Sequence, residues 1–216
     1  MTNKNEIKNV ENYFAELRKA DKSIIKDGIV NHEKYKAINI KLLWILKEPH
    51  CNNGGGWAMK EHLSSPKGLI NRTDDFKWKN TYKLMMLCTW GIFRDFQSWK
   101  KSLDDWSKLG SEKLLEVFND IALINIKKTL GGSASKNRQI KNAFNTNKEL
   151  IVMQIKEYEP DIIICGGTHH FIRDIIEETG ALSRNKFVKA YHPNQKSISH
   201  ENYYNYVLSD AKKVSF

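Results

Sequence analysis

At 216 residues the chain is long enough to bury a full hydrophobic core, and it reads as one domain over 1–216. An apolar fraction of 40% and a charged fraction of 28% exclude wholesale disorder. With 35 Lys and Arg against 25 Asp and Glu the net charge is +10. A field of that sign concentrates polyanions, although a lysine coat on exposed helices would produce the same count. No apolar run approaches the roughly 20 residues of a membrane-crossing helix, and 1–6 does not resemble a signal peptide. A cytoplasmic protein without membrane contact is therefore expected. Cys51, Cys88 and Cys165 are odd in number and widely spaced, which excludes a disulfide framework or a four-thiolate metal or iron–sulfur site.

Taken in chain order, Ile7, Val10, Phe14 and Leu17 recur at helical spacing and predict an amphipathic helix. The run 40–46 predicts a first strand. Residues 65–108, with Trp78, Trp90, Trp99 and Trp106, read as a Trp-rich helical insertion, either a helical cover or part of an enlarged pocket. Leu114, Leu115 and Phe118 suggest a short helix before a second strand at 121–126. A long helix runs from about Lys141 to the stop at Pro160. The third strand covers 161–165. Thr168 then caps a helix carrying Phe171, Ile172, Ile175 and Ile176, which Gly180 ends. A fourth strand at 186–191 and a helix at 202–214 complete the pattern. Near-continuous apolar runs in the middle two strands imply burial on both faces. The expected fold is α/β, a three-layer αβα sandwich with a central, mainly parallel four-stranded sheet.

Ligands of such sheets bind beyond the carboxyl ends of the strands, and four loops lie there. After the first strand come Lys47, Glu48, Pro49 and His50, then Gly54, Gly55, Gly56 and Trp57. A carboxylate fixed by proline at a strand end suits a general base. Three glycines permit close backbone approach to a ligand, and Trp57 offers a flat face. A flexible loop with Trp57 plugging the core edge is the bland alternative. The second strand ends near Asn125, whose amide can read a base edge or cap backbone. Lys127 and Lys128 follow, then Gly131, Gly132, Ser133, Ser135 and Lys136, a composition suited to phosphate contact but without the spacing of a P-loop. Gly166, Gly167, Thr168, His169 and His170 open a helix whose N-terminus favours anions. Adjacent histidines diverge on a helix, so no metal site is expected there. Tyr191, His192, Pro193, Asn194 and Lys196 close the set, with His192 able to exchange a proton or stabilise negative charge.

The ordered set from about 40 to 200 resembles the uracil-DNA glycosylase superfamily. Leu46-Lys47-Glu48-Pro49 is similar to its first motif, Ala122-Leu123-Ile124-Asn125 to its asparagine strand, and His192-Pro193-Asn194 to its late His-Pro-Ser motif. Leu46 departs from the usual glycine, Glu48 from aspartate or asparagine, and Asn194 from serine, while Lys196 replaces an apolar wedge. The resemblance implies a DNA glycosylase that needs no cofactor or metal, acts on uracil or another altered base in DNA, and works as a monomer. Glu48 and His192 would be catalytic. Asn125, Trp57 and His50 would face the flipped base, and Ser133, Ser135, Lys136, Thr168, His169, Asn194 and Lys196 the phosphates. Two rivals stand beside it. One is a non-catalytic nucleic-acid-binding member of the fold. The other is an unrelated nucleotide-processing hydrolase, for which thiol catalysis by Cys51 is disfavoured because neighbouring His50 cannot be ordered against it.

Overall fold

A computed structural model of the chain describes residues 9–50, 54–65, 80–132, 135–179 and 186–214. Five strands form one sheet: β1 (Gly28–Ile29), β2 (Leu42–Leu46), β3 (Ile121–Asn125), β4 (Ile162–Gly166) and β5 (Phe187–Ala190), in the order β1-β3-β2-β4-β5. β2 pairs in parallel with β3 and β4, and β4 with β5. Every residue of β2, β3 and β4 is buried, as their continuous apolar runs predict. β5 alternates in burial and lies at the edge. The α/β class and the four parallel strands agree with expectation. The fifth strand does not: β1 is two residues long and pairs antiparallel with β3, too short to leave a periodic signal.

Helices cover both faces. On one lie α4 (Asn80–Ile92), α5 (Trp99–Leu115) and the C-terminal α8 (His200–Lys212), whose buried residues join Leu42, Trp44 and Leu46 in one cluster. On the other, α1 (Val10–Ala20), α6 (Asn137–Tyr158) and α7 (His169–Thr179) pack against Leu43, Ile45 and Ile163. Short α3 (Met59–Leu63) adds Met59 and Leu63 to the first cluster, short α2 (His32–Ala37) adds Tyr35 to the second, and a 3-10 turn (Glu116–Asp120) leads into β3. No helix among the described residues is long and apolar enough to cross a membrane.

The segment 65–108 is not an appendage. Its described part supplies a structural layer: Leu84, Met85, Met86, Leu87, Cys88 and Trp90 are buried, and Trp99 and Trp106 pack partly buried beside them. A helix apolar all round must be covered on all sides. Trp78 lies outside the described residues. The short helix expected around Leu114 is the end of the 17-residue α5, which kinks at Gly110 (φ 78°). The first helix begins at Val10 behind the cap Asn9, and the last at His200 behind Ser199, two residues earlier than expected. Ile7 and Gly180, assigned to helix boundaries, lie outside the described residues.

Beside β1 and β3 lies a buried polar knot. Lys128 Nζ donates to both Asp27 carboxylate oxygens, at 2.8 and 3.0 Å, and to Gln154 Oε1 at 2.9 Å. Asp27 also accepts from the Asn125 N–H at 2.7 Å and from Gln154 Nε2 at 2.9 Å. Both charged side chains are 1% exposed. Desolvation pulls the Lys128 ammonium below its ordinary range, and Asp27 opposes that pull. Lys128, expected near phosphate, is thus a core residue. Removing one partner strands a buried charge, so Lys128→Met should lower stability by about 3–5 kcal/mol in urea unfolding. Lys128→Met with Asp27→Asn should recover part of that loss, because asparagine still accepts from the Asn125 N–H.

Candidate active site

The connection β2 to β3 runs over one face of the sheet through α4 and α5, whereas β4 to β5 runs over the other through α7. Strand order therefore reverses between β2 and β4, the place where open parallel sheets form a crevice. The loops at that end are bound to one another. Lys127 N–H donates to the Lys47 carbonyl at 2.9 Å, and Gly131 N–H to the Pro49 carbonyl at 2.8 Å. Gly167 N–H donates to the Ala190 carbonyl at 2.8 Å. A Cβ on Gly167 would lie 3.3 Å from Lys47 Cε and 3.4 Å from the His192 nitrogen; one on Gly166 would lie 2.6 Å from Leu46 Cδ2 and 3.2 Å from Pro193 Cδ. The Glu48 and His192 motifs thus meet across Gly166 and Gly167.

Glu48 is held from two sides. Its side chain is 5% exposed, with Oε2 3.3 Å from Lys127 Nζ. Lys127 is itself fixed by a 2.6 Å bond to the Leu130 carbonyl. The carboxyl group rests on Gly131, where a Cβ would come within 2.1 Å of Glu48 Cδ. Oε1 is buried and has no hydrogen-bond partner among the described residues. Asn125, paired in register with Leu46, is 1% exposed, and its Nδ2 is likewise buried without a partner among the described residues. Strand alternation turns its side chain to the face of Ile121 and Leu123, the one against which Trp57 packs.

His192 accepts from the Asn194 N–H through Nδ1 at 3.1 Å. In the neutral ring the hydrogen then sits on Nε2, which becomes a donor. Burial first, and the Lys47 ammonium second, bring the imidazole down to about 4. At neutral pH His192 is therefore an uncharged hydrogen-bond donor.

The other candidates divide. Trp57 is half-buried, its indole N–H donates to the Gly54 carbonyl at 3.0 Å, and its ring lies 5.7 Å from that of His62. Arg18 Nη2 grips its carbonyl at 2.7 Å. Gly55 and Gly56 serve packing instead of ligand approach, since a Cβ on either would come within 2.3 or 2.7 Å of the carbonyl of Ser23 or Lys22. The Thr168 hydroxyl, fully buried, donates to the Ile45 carbonyl at 2.8 Å. It latches α7 to β2 from the position directly before that helix, the place expected for a cap, and its burial keeps it from a phosphate contact. His169 is half-buried, and burial followed by Lys189, Arg173 and His170 lowers its pKa. Lys136, Asn194, Lys196 and His50 are exposed, and Ser135 is half-buried beside α6. Ser133 and Cys51 lie outside the described residues.

Sequence reasoning gave Lys47 no role and placed Lys127 only in a loop suited to phosphate. Their signal is position: Lys47 directly follows Leu46 at the end of β2, and Lys127 stands two residues past Asn125 at the end of β3. Among the described residues no group of His, Cys, Asp and Glu is placed to hold a metal. A small cleft contains none of these loop residues and is lined by Glu11, Lys26, Asp27, Gly28, Glu157 and Tyr158. Its carboxylates are already engaged, Glu11 with Lys26, Asp27 with Lys128 and Glu157 with the Val10 N–H, so the strand-end loops are the better candidate. Comparison of the chain with protein-family models, curated proteins and solved structures found no match.

A histidine whose folded pKa lies below its unfolded value favours the folded state least in acid. As pH falls from about 6.5 towards about 4, the unfolded chain takes up the proton first and stability is lost. NMR titration should find the His192 midpoint near 4, and Lys47→Met should raise it only partly, because burial is the larger cause.

Proposed function

We propose that the chain is a DNA glycosylase of the uracil-DNA glycosylase kind, hydrolysing the N-glycosidic bond of uracil or another altered base after nucleotide flipping. One observation carries this reading. A buried acceptor, Glu48 Oε1, and a buried donor, Asn125 Nδ2, are left unsatisfied at the ends of adjacent strands. An orphaned buried polar group costs about 1–3 kcal/mol. Two of them at a sheet's ligand-binding end fit a pocket that a polar guest completes.

The geometry supports a role for each residue in this reading. Lys127 holds Oε2 of Glu48, which leaves Oε1 to orient a water and to face the cationic sugar that forms as the bond breaks. The amide of Asn125 meets an acceptor on the extruded base. Neutral His192 donates its Nε2–H to the oxygen on which the departing base collects negative charge, and need not become imidazolium to do so. Lys47, close to His192, adds positive potential to the same anion. Trp57 and His50 would border the base. Ser133, Ser135, Lys136, His169, Asn194 and Lys196 remain candidate phosphate contacts, without Thr168. A monomer in the cytoplasm, independent of metal and cofactor, goes with this reading.

A nucleic-acid-binding member of the fold without base release is the second reading, favoured by the same Lys127 contact, which already neutralises Glu48. Oligonucleotides carrying uracil or bulkier altered pyrimidines, followed by alkaline cleavage at abasic sites, separate the two. Glu48→Gln and His192→Ala should each slow release by about 10²–10³-fold, the scale of losing one preorganised electrostatic contact. Release that survives both changes would sink the assignment. Gly131→Ala is expected to cut activity as well by driving the Glu48 carboxyl from its seat, with the fold retained by circular dichroism.

A further inference from the structure

Among the described residues three large apolar side chains stand exposed, and two of them touch. Tyr191 is 55% and Tyr206 36% exposed, and their ring centroids lie 6.5 Å apart at 45°. The third, Leu109, is on α5. The pair is firmly mounted. Tyr206 projects from α8, and the hydroxyl of fully buried Tyr203 on the same helix donates to the Tyr191 carbonyl at 2.9 Å. Tyr191 directly precedes His192, so the pair is mounted beside the candidate site.

The surrounding charge narrows the partner. Asp210 faces the Tyr206 phenol but is paired with Lys213 at 2.7 Å. Lys189 and Lys196, flanking Tyr191 in sequence, are exposed, and the chain as a whole carries +10. Exposed ring faces on a basic surface suit a polyanion that has flat rings of its own to stack. Single-stranded nucleic acid offers both at once, whereas in a duplex the base faces are already stacked on one another.

We propose that Tyr191 and Tyr206 form a stacking platform for unpaired bases of single-stranded DNA flanking the candidate site. The proposal rests on the DNA-binding part of the reading above and on neither catalytic role.

The test is fluorescence anisotropy with the full chain, using labelled 12-nucleotide dT and the matching duplex at one fixed salt concentration. The wild type should prefer the single strand. Tyr191→Ala and Tyr206→Ala should each weaken dT binding by about 10-fold, the scale of one lost base–aromatic stack, and duplex binding far less. Tyr191→Phe should keep the affinity, and Leu109→Ala should leave it unchanged. Alanine variants that bind dT like the wild type, or that lose single strand and duplex equally, overturn the proposal. So does a wild type that ignores dT but self-associates in sedimentation through Tyr191, which would assign the platform to a second copy of the chain. Base release is followed on a panel of dT strands, each carrying one uracil or one other altered base, and counts as absent only when no strand releases its base. Tyrosine-dependent binding without release refutes the glycosylase reading alone, and release with tyrosine-independent binding refutes the platform alone.

Discussion

The carboxyl end of β3 depends on one ion pair. Lys128 and Asp27 are withdrawn from water together, and each is then surrounded by further hydrogen bonds, from Gln154 on α6 and from the Asn125 N–H. Two isolated charges in that place would be far too costly, and even a paired one contributes little net stability compared with well-packed apolar groups. Its effect is geometric. The pair ties the approach to β1, the last residue of β3 and the C-terminal part of α6 to one point, which fixes the direction of the chain after Asn125. Lys128 turns inward to the knot, and its neighbour Lys127 turns the other way, to Glu48.

That division of two adjacent lysines connects the core to the site. Glu48 is confined by a cation on one oxygen and by backbone at Gly131 beneath its carboxyl group. Tethers of this kind restrict rotamers, which is what the proposed role of Glu48 would require. His192 is set by a different device. The Asn194 N–H fixes the tautomer, while burial and Lys47 keep the ring uncharged. A carboxylate held by a lysine and a neutral imidazole held by backbone are chemically complementary, and in the proposed glycosylase reading one would face developing positive charge and the other developing negative charge.

The basic character of the chain is unevenly used. Lys128 is lost to the core and Lys127 to Glu48, whereas Lys136, Lys189 and Lys196 remain exposed around the strand ends. The net charge therefore describes the surface only after these subtractions. The aromatic side chains divide similarly: Trp44, Trp90, Tyr203 and Tyr204 are buried, and Tyr191 and Tyr206 are the large rings left exposed among the described residues.

Four parallel strands, the helices between them and the strand-end position of Glu48, Asn125 and His192 were legible in the sequence, because runs such as Ile162–Gly166 and Ile121–Asn125 must be buried on both faces wherever they occur. Periodicity and strand-end position are local properties of the chain. What only tertiary structure decided is which polar groups are partnered. Nothing local separates Lys127 from Lys128, marks Thr168 as a latch on Ile45 or shows that Gly55 packs on Ser23, since each depends on contacts from distant parts of the chain. The same holds for β1, which is a strand only because β3 lies beside it. Burial follows from composition and spacing, but the pairing of buried polar atoms follows from where the rest of the chain comes to lie.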